Sequence, residues 1–165
     1  MDNLLNSKPK RFKNIQDLHG HKDIIRIKIC RYPIMSVFKK AIRTIKGVNE
    51  FDKYMREKNY DDLFHLYMVI ELDDNTILRT DKNNRVELKV IDNFDCGDRN
   101  RTEEYTQTIN ITNDLTFNQL IDNAVNNGLV WRYSANQYNC QNYIMMLLKH
   151  SNLYNDEIND FIMQD

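Results

Sequence analysis

The chain has 165 residues, enough for one domain with a substantial core and short for two. With 41% hydrophobic residues, 28% charged residues and a net charge of -1, it reads as an ordinary globular protein without a basic field for nucleic acid or acidic membranes. The sparse cysteines, Cys30, Cys96 and Cys140, do not suggest a disulfide framework, and without a CxxC pair a structural zinc site has no support.

Residues 1–22 lack clear periodicity and carry a basic cluster, Lys8, Lys10, Arg11 and Lys13 around Pro9. They are expected to form a flexible arm ahead of a single domain over residues 23–165. The N-terminus lacks an apolar signal-like region and no apolar run reaches membrane-spanning length, so a reducing cytoplasm is the expected setting. Ile24 to Cys30 alternates apolar and basic residues and predicts a strand. Pro33 suits the first turn of a helix with Ile34, Val37, Phe38, Ile42 and Ile45 on one face and Gly47 at its end. Phe51, Tyr54 and Met55 mark a second helical stretch.

Leu63 to Leu72 is the clearest strand and ends at the turn signal Asp73-Asp74-Asn75. Thr76 to Thr80 returns as a strand, Asp81 to Asn84 is a polar break, and Arg85 to Ile91 alternates again. Asn93 to Arg101 has loop composition, and Tyr105 to Thr112 can supply one more strand. Thr116 with Gln119 has the spacing of a capping box, Leu120, Ile121 and Val125 follow as an apolar face, and Gly128 ends that helix. Asn139 caps a helix from Cys140 to about His150, and Ile158 to Met163 is a last amphipathic piece. Strand, helices, antiparallel meander and helices make an α+β domain, a small antiparallel sheet packed against helices.

Cys140 is the first candidate for chemistry. A cap at Asn139 puts it in the first turn of its helix, where unpaired N–H groups and the macrodipole favour an anion. A free thiol is only about 3% thiolate at neutral pH, so a helix N-terminus and a nearby imidazolium are what make it a nucleophile. Cys140, Ile144, Leu147 and Leu148 share a face, which turns the sulfur toward the sheet, although a small buried core cysteine has the same pattern. His65 shares a strand face with Tyr67, Val69 and Glu71, where a satisfied core histidine is also common. His19, His21 and His150 have no carboxylate or cysteine at metal-site spacing beside them.

The string Tyr138-Asn139-Cys140-Gln141-Asn142-Tyr143-Ile144, with Tyr133 before it, resembles the Asn-Cys box of permuted papain-like thiol hydrolases. The strand His65-Leu66-Tyr67-Met68-Val69-Ile70 resembles their histidine box, and the order of the two boxes is the permuted one. Such boxes occur in the lecithin:retinol acyltransferase-like group, which includes viral proteins, and in the PPPDE isopeptidases. The resemblance covers about residues 63–150. It implies a circularly permuted papain-like fold and a cysteine hydrolase or acyltransferase acting through a Cys140–His65 pair and a thioester. The acyltransferase-like group typically continues Cys-Glu-His, where this chain has Cys140-Gln141-Asn142, and its second histidine has no counterpart between His65 and His150.

A third group must then orient the imidazole. If Asp73 to Asn75 is a three-residue turn, Leu72 faces Thr76, Tyr67 faces Asp81 and His65 faces Asn83. Asp81 becomes a diagonal neighbour of His65 and the first choice, with Asn83 next and Glu87 behind. Tyr67, Trp131 and Tyr133 can line an acyl or peptide groove, or pack in the core. The resemblance implies neither metal nor organic cofactor. The implied substrate is a protein or lipid acyl group, with a peptidase or isopeptidase favoured because the second histidine is absent. Membrane contact follows only if the substrate is a lipid, and no nucleic-acid partner is expected. An inactive interaction module on the same fold is the alternative from another class.

Overall fold

The structure is a computed structural model that describes residues 6–33, 53, 64–96, 106–132 and 137–163. Within them the chain forms helix α1 (Lys10–His19), strands β1 (Ile24–Pro33), β2 (Phe64–Leu72), β3 (Ile77–Lys82), β4 (Val86–Ile91) and β5 (Thr106–Asn110), then α2 (Phe117–Asn126), α3 (Cys140–Lys149) and α4 (Asp156–Met163). The fold is α+β. Its five strands make one antiparallel sheet in the order β4-β3-β2-β1-β5. The helices expected between Ile34 and Met55 lie outside the described residues.

Alternation along the strands gives the sheet two unlike faces. One presents Ile27, Ile29, Leu66, Met68, Ile70, Leu78, Val86 and Leu88 to the helices, and these residues form the main core with Leu120, Ile121, Tyr143, Ile144, Leu147 and Ile162. The other presents Cys30, Tyr67 and Val69, which form a small second cluster with Phe94 and Cys96.

The strand expected to end at Cys30 continues to Pro33, which pairs with Phe64 instead of opening a helix. Proline's fixed φ is compatible with an extended strand end. The polar break expected at Asp81 is also strand: Asp81 and Lys82 complete β3, because each finds a partner for its charge.

The first 22 residues are not simply an arm. Residues 10–19 form α1, with Phe12 and Gln16 on its buried side. Phe12 meets Trp131 edge-on, with ring centroids 5.1 Å apart, and lies 6.3 Å from Phe117. Gln16 donates to Asn118 Oδ1 at 2.9 Å. Gly20 permits this approach, since a Cβ there would stand 2.0 Å from the same Asn118 oxygen.

Cys30 and Cys96 are joined by a disulfide, although the sparse cysteines did not suggest a disulfide framework. Their spacing of 66 residues matches no local motif; the sheet brings Cys30 under the segment that follows β4. Such bonds persist most readily in oxidising surroundings, so the sparse cysteines no longer support a reducing one. Among the described residues no helix is long and apolar enough to cross a membrane.

Candidate active site

The turn after β2 sets the geometry. Leu72 donates its N–H to Thr76 O at 2.9 Å, and Asn75 takes the positive φ, 65°, that asparagine tolerates better than most residues. The resulting register places Tyr67 opposite Asp81. His65, two residues earlier on the same strand face, meets Asp81 diagonally, with Nε2 3.2 Å from Oδ2. Asn83 is exposed, and its backbone N–H is used by Arg85 O at 3.1 Å. Glu87 is exposed on β4 opposite Asp81. Of the three groups considered for the third position, Asp81 is therefore the one at the imidazole.

Asp81 is nearly buried, its side chain 7% exposed, and is held on two sides. Besides His65, Arg79 Nη2 approaches the same Oδ2 at 3.4 Å, and the guanidinium lies 3.8 Å over the Tyr67 ring. Burial opposes the carboxylate charge, but the hydrogen bonds and positive charges of His65 and Arg79 outweigh it and hold Asp81 below its usual range.

Cys140 arrives from the other end of the chain. Asn139 accepts from Asn142 N through its side chain at 2.9 Å and from Tyr143 N through its carbonyl at 3.0 Å, so it caps α3 as the sequence predicts. Cys140 thus starts the helix, half-buried and packed against the main core, and is a free cysteine. Among the described residues the backbone N–H groups of Cys140 and Gln141 have no acceptor, as the first turn of a helix requires. The anchor one turn on is Tyr143, whose buried hydroxyl lies 2.8 Å from Thr80 Oγ1 on β3.

His65 joins the two groups. Burial disfavours its charge, yet hydrogen bonds to Asp81 and then Cys140, together with their negative charge, push it up to about 9. With Nε2 directed at Asp81, Nδ1 is the nitrogen left to exchange a proton with the thiol. By alternation His65 belongs to the sheet face away from the helices, so the pair meets where β2 has just begun and α3 begins.

Of the two roles open to the aromatic residues, groove lining or core packing, Tyr67 and Trp131 take the second. Tyr67 is 2% exposed beneath Arg79, and Trp131 is 6% exposed against Phe12, so both are packing residues; Tyr133 lies outside the described residues. His19 belongs to a surface group with Lys22 and Asp74, and His150 forms the C-cap of α3. Lys82, a buried lysine beside Cys140, was not singled out from the sequence. The alternation Leu78-Thr80-Lys82 on the helix-facing side was the signal that could have found it. No protein-family model, curated protein or solved structure matches the chain.

Proposed function

We propose that the chain is a cysteine-dependent hydrolase or acyltransferase of the permuted papain-like kind, with Cys140 as nucleophile, His65 as base and acid, and Asp81 as the group that orients the imidazole. The observation that carries this reading is His65 held by Asp81, Nε2 3.2 Å from Oδ2, with Cys140 near enough for its sulfur to act on the same imidazole. A solitary core histidine has no need of both partners. The arrangement is that of an activated thiol at a helix N-terminus.

The chemistry follows from these groups. His65 takes the thiol proton and becomes imidazolium, stabilised by Asp81. The Cys140 thiolate forms a C–S bond to an amide or ester carbonyl, whose π electrons move to oxygen. The backbone N–H groups of Cys140 and Gln141 are placed to receive that oxyanion. On collapse the C–N or C–O bond breaks, and the leaving group takes the His65 proton. Water, deprotonated by His65, then attacks the thioester, releasing the acid and regenerating the thiolate. An amide substrate is favoured, since the chain lacks the second histidine of the lipid-acyl group.

The test begins with alkylation. Because Cys30 and Cys96 are joined, iodoacetamide reports on Cys140 alone. An activated pair reacts rapidly well below about pH 8, and His65→Ala abolishes that reactivity. Peptide and ubiquitin-like amides are then assayed beside fatty-acyl esters. Cys140→Ser should fold normally and lose turnover by at least about a thousandfold. Retained turnover in that variant excludes the mechanism, and a Cys140 that alkylates like an unstructured thiol leaves an inactive interaction module.

A further inference from the structure

Lys82 is 1% exposed, among the most buried side chains of the protein. It faces the helices, between Thr80 on its own strand and apolar Val86 opposite on β4. Its ammonium donates to Val130 O. It lies 5.8 Å from the centroid of the Tyr138 ring, two residues before the nucleophile. Thr80 fixes the approach, since its hydroxyl holds Tyr143 in the first turn of α3. Among the described residues no carboxylate pairs with Lys82; Tyr138 by Lys82 and Tyr143 on Thr80 bracket Cys140 at this end of β3, and Cys140 is the group whose negative charge would act on the lysine.

A fully buried lysine costs stability unless its charge is paired or given up. The neighbours of Lys82 on this face are core residues, and a methionine would fill the same space without that cost. A perturbed lysine beside a nucleophile is a functional candidate with a physical rationale.

From this placement we infer that Lys82 is a second cation for the Cys140 thiolate, reaching it from the helix-covered face of the sheet while His65 reaches it from the other. The inference rests on the reading of Cys140 as nucleophile and deepens it. The three consecutive residues of β3 divide the work: Thr80 anchors the helix through Tyr143, Asp81 holds the histidine, and Lys82 lies by Tyr138, two residues before the sulfur. Burial lowers the lysine to about 8, while the negative charge of Cys140 pulls in the opposite direction. Thiolate and ammonium therefore favour one another, and loss of either charge is felt at the other. Among the described residues the further charged groups at this end include Arg132, whose guanidinium lies 5.8 Å from the same Tyr138 ring, and Arg85, whose backbone bridges to Arg132.

The experiment compares iodoacetamide alkylation of Cys140 in the native chain, Lys82→Met and His65→Ala, from about pH 5 to about pH 9. Lys82→Met should slow alkylation near neutral pH by about tenfold. It should also raise the thermal midpoint, because a buried charge is replaced by an apolar side chain of similar length. Native-rate alkylation in Lys82→Met, with His65→Ala slowed, overturns the role of the lysine and leaves the Cys140–His65 reading intact. Slow alkylation already in the native chain overturns both. A second measurement needs no variant of the lysine. The Lys82 side chain is titrated by carbon NMR before and after Cys140 is capped by a neutral methylthio group. Capping should move the midpoint to lower pH, and an unmoved midpoint counts against the inference.

Discussion

The two faces of the sheet are built by different means. The helix-covered face closes by area: Ile27, Ile29, Leu66, Met68, Ile70 and Leu78 are wholly buried in a core shared with the helices, of which α1 and α3 lie on the sheet. Among the described residues the opposite face buries a smaller set, Cys30, Tyr67, Val69, Phe94 and Cys96 with Ile77 and Ile91 partly covered beside them, and it is joined by a covalent bond and paired charges. Arg26 pairs with Glu71 and Lys28 with Asp95, and both cations also lie over Phe94. The candidate site draws on both faces: Asp81 and His65 come from the charged one, and Lys82 from the apolar one. Two adjacent residues of one strand thus sit in opposite surroundings, Asp81 as a paired anion and Lys82 as a buried lysine.

That contrast is open to attack from either side. On the covered face, Ile70→Ala should cost about 4 kcal/mol, from lost transfer energy and the cavity left in a close-packed core. On the open face, Val69→Ala should cost about half as much. Urea unfolding followed by the lone tryptophan, Trp131, which is packed against Phe12, measures both.

Next in size is the disulfide. Replacing Cys30 and Cys96 together by serine should destabilise the chain by about 3 kcal/mol, because an unfolded loop of that length regains its entropy. The same denaturation experiment, with and without reductant, checks this. A loss below about 1 kcal/mol would mean that the small cluster holds without its bond.

The titratable groups make a smaller difference, with a definite sign. His65 is raised from 6.5 to about 9, so its contribution to stability is fully present below about pH 6.5 and is lost as pH rises toward about 9. Asp81 is lowered, so its contribution is present above its ordinary value of 3.8 and is lost on acidification. Lys82, also lowered, has the slope opposite to His65, gaining stability as pH rises above about 8. His65→Gln should remove the decline between about pH 6.5 and about pH 9 from thermal melts recorded across that window. The smallest effect is expected at Asn139, where Ala should cost about 1 kcal/mol as the α3 cap is lost. The same change should slow Cys140 alkylation by loosening the helix end.

Local signals were legible where they act over a few residues. Asn139 and Thr116 cap their helices as their spacing implies, and the three-residue turn after Leu72 determines which residue meets His65. The helix over residues 10–19 was harder to read. Its polar sequence leaves few apolar residues to mark the buried side, where Gln16 stands beside Phe12 and is satisfied only by distant Asn118.

By itself, then, the sequence determined the strand periodicity, the helix caps, the register of β2 on β3 and the residue types able to do thiol chemistry. Only the tertiary structure decided that Cys30 meets Cys96, that Lys82 is buried without a carboxylate, and that Cys140 comes to His65. The reason is physical. Caps and turns are satisfied by groups a few residues away, whereas a disulfide, a buried lysine and the approach of Cys140 to His65 depend on partners 66, 48 and 75 residues distant, which only the closed sheet and its packed helices bring together.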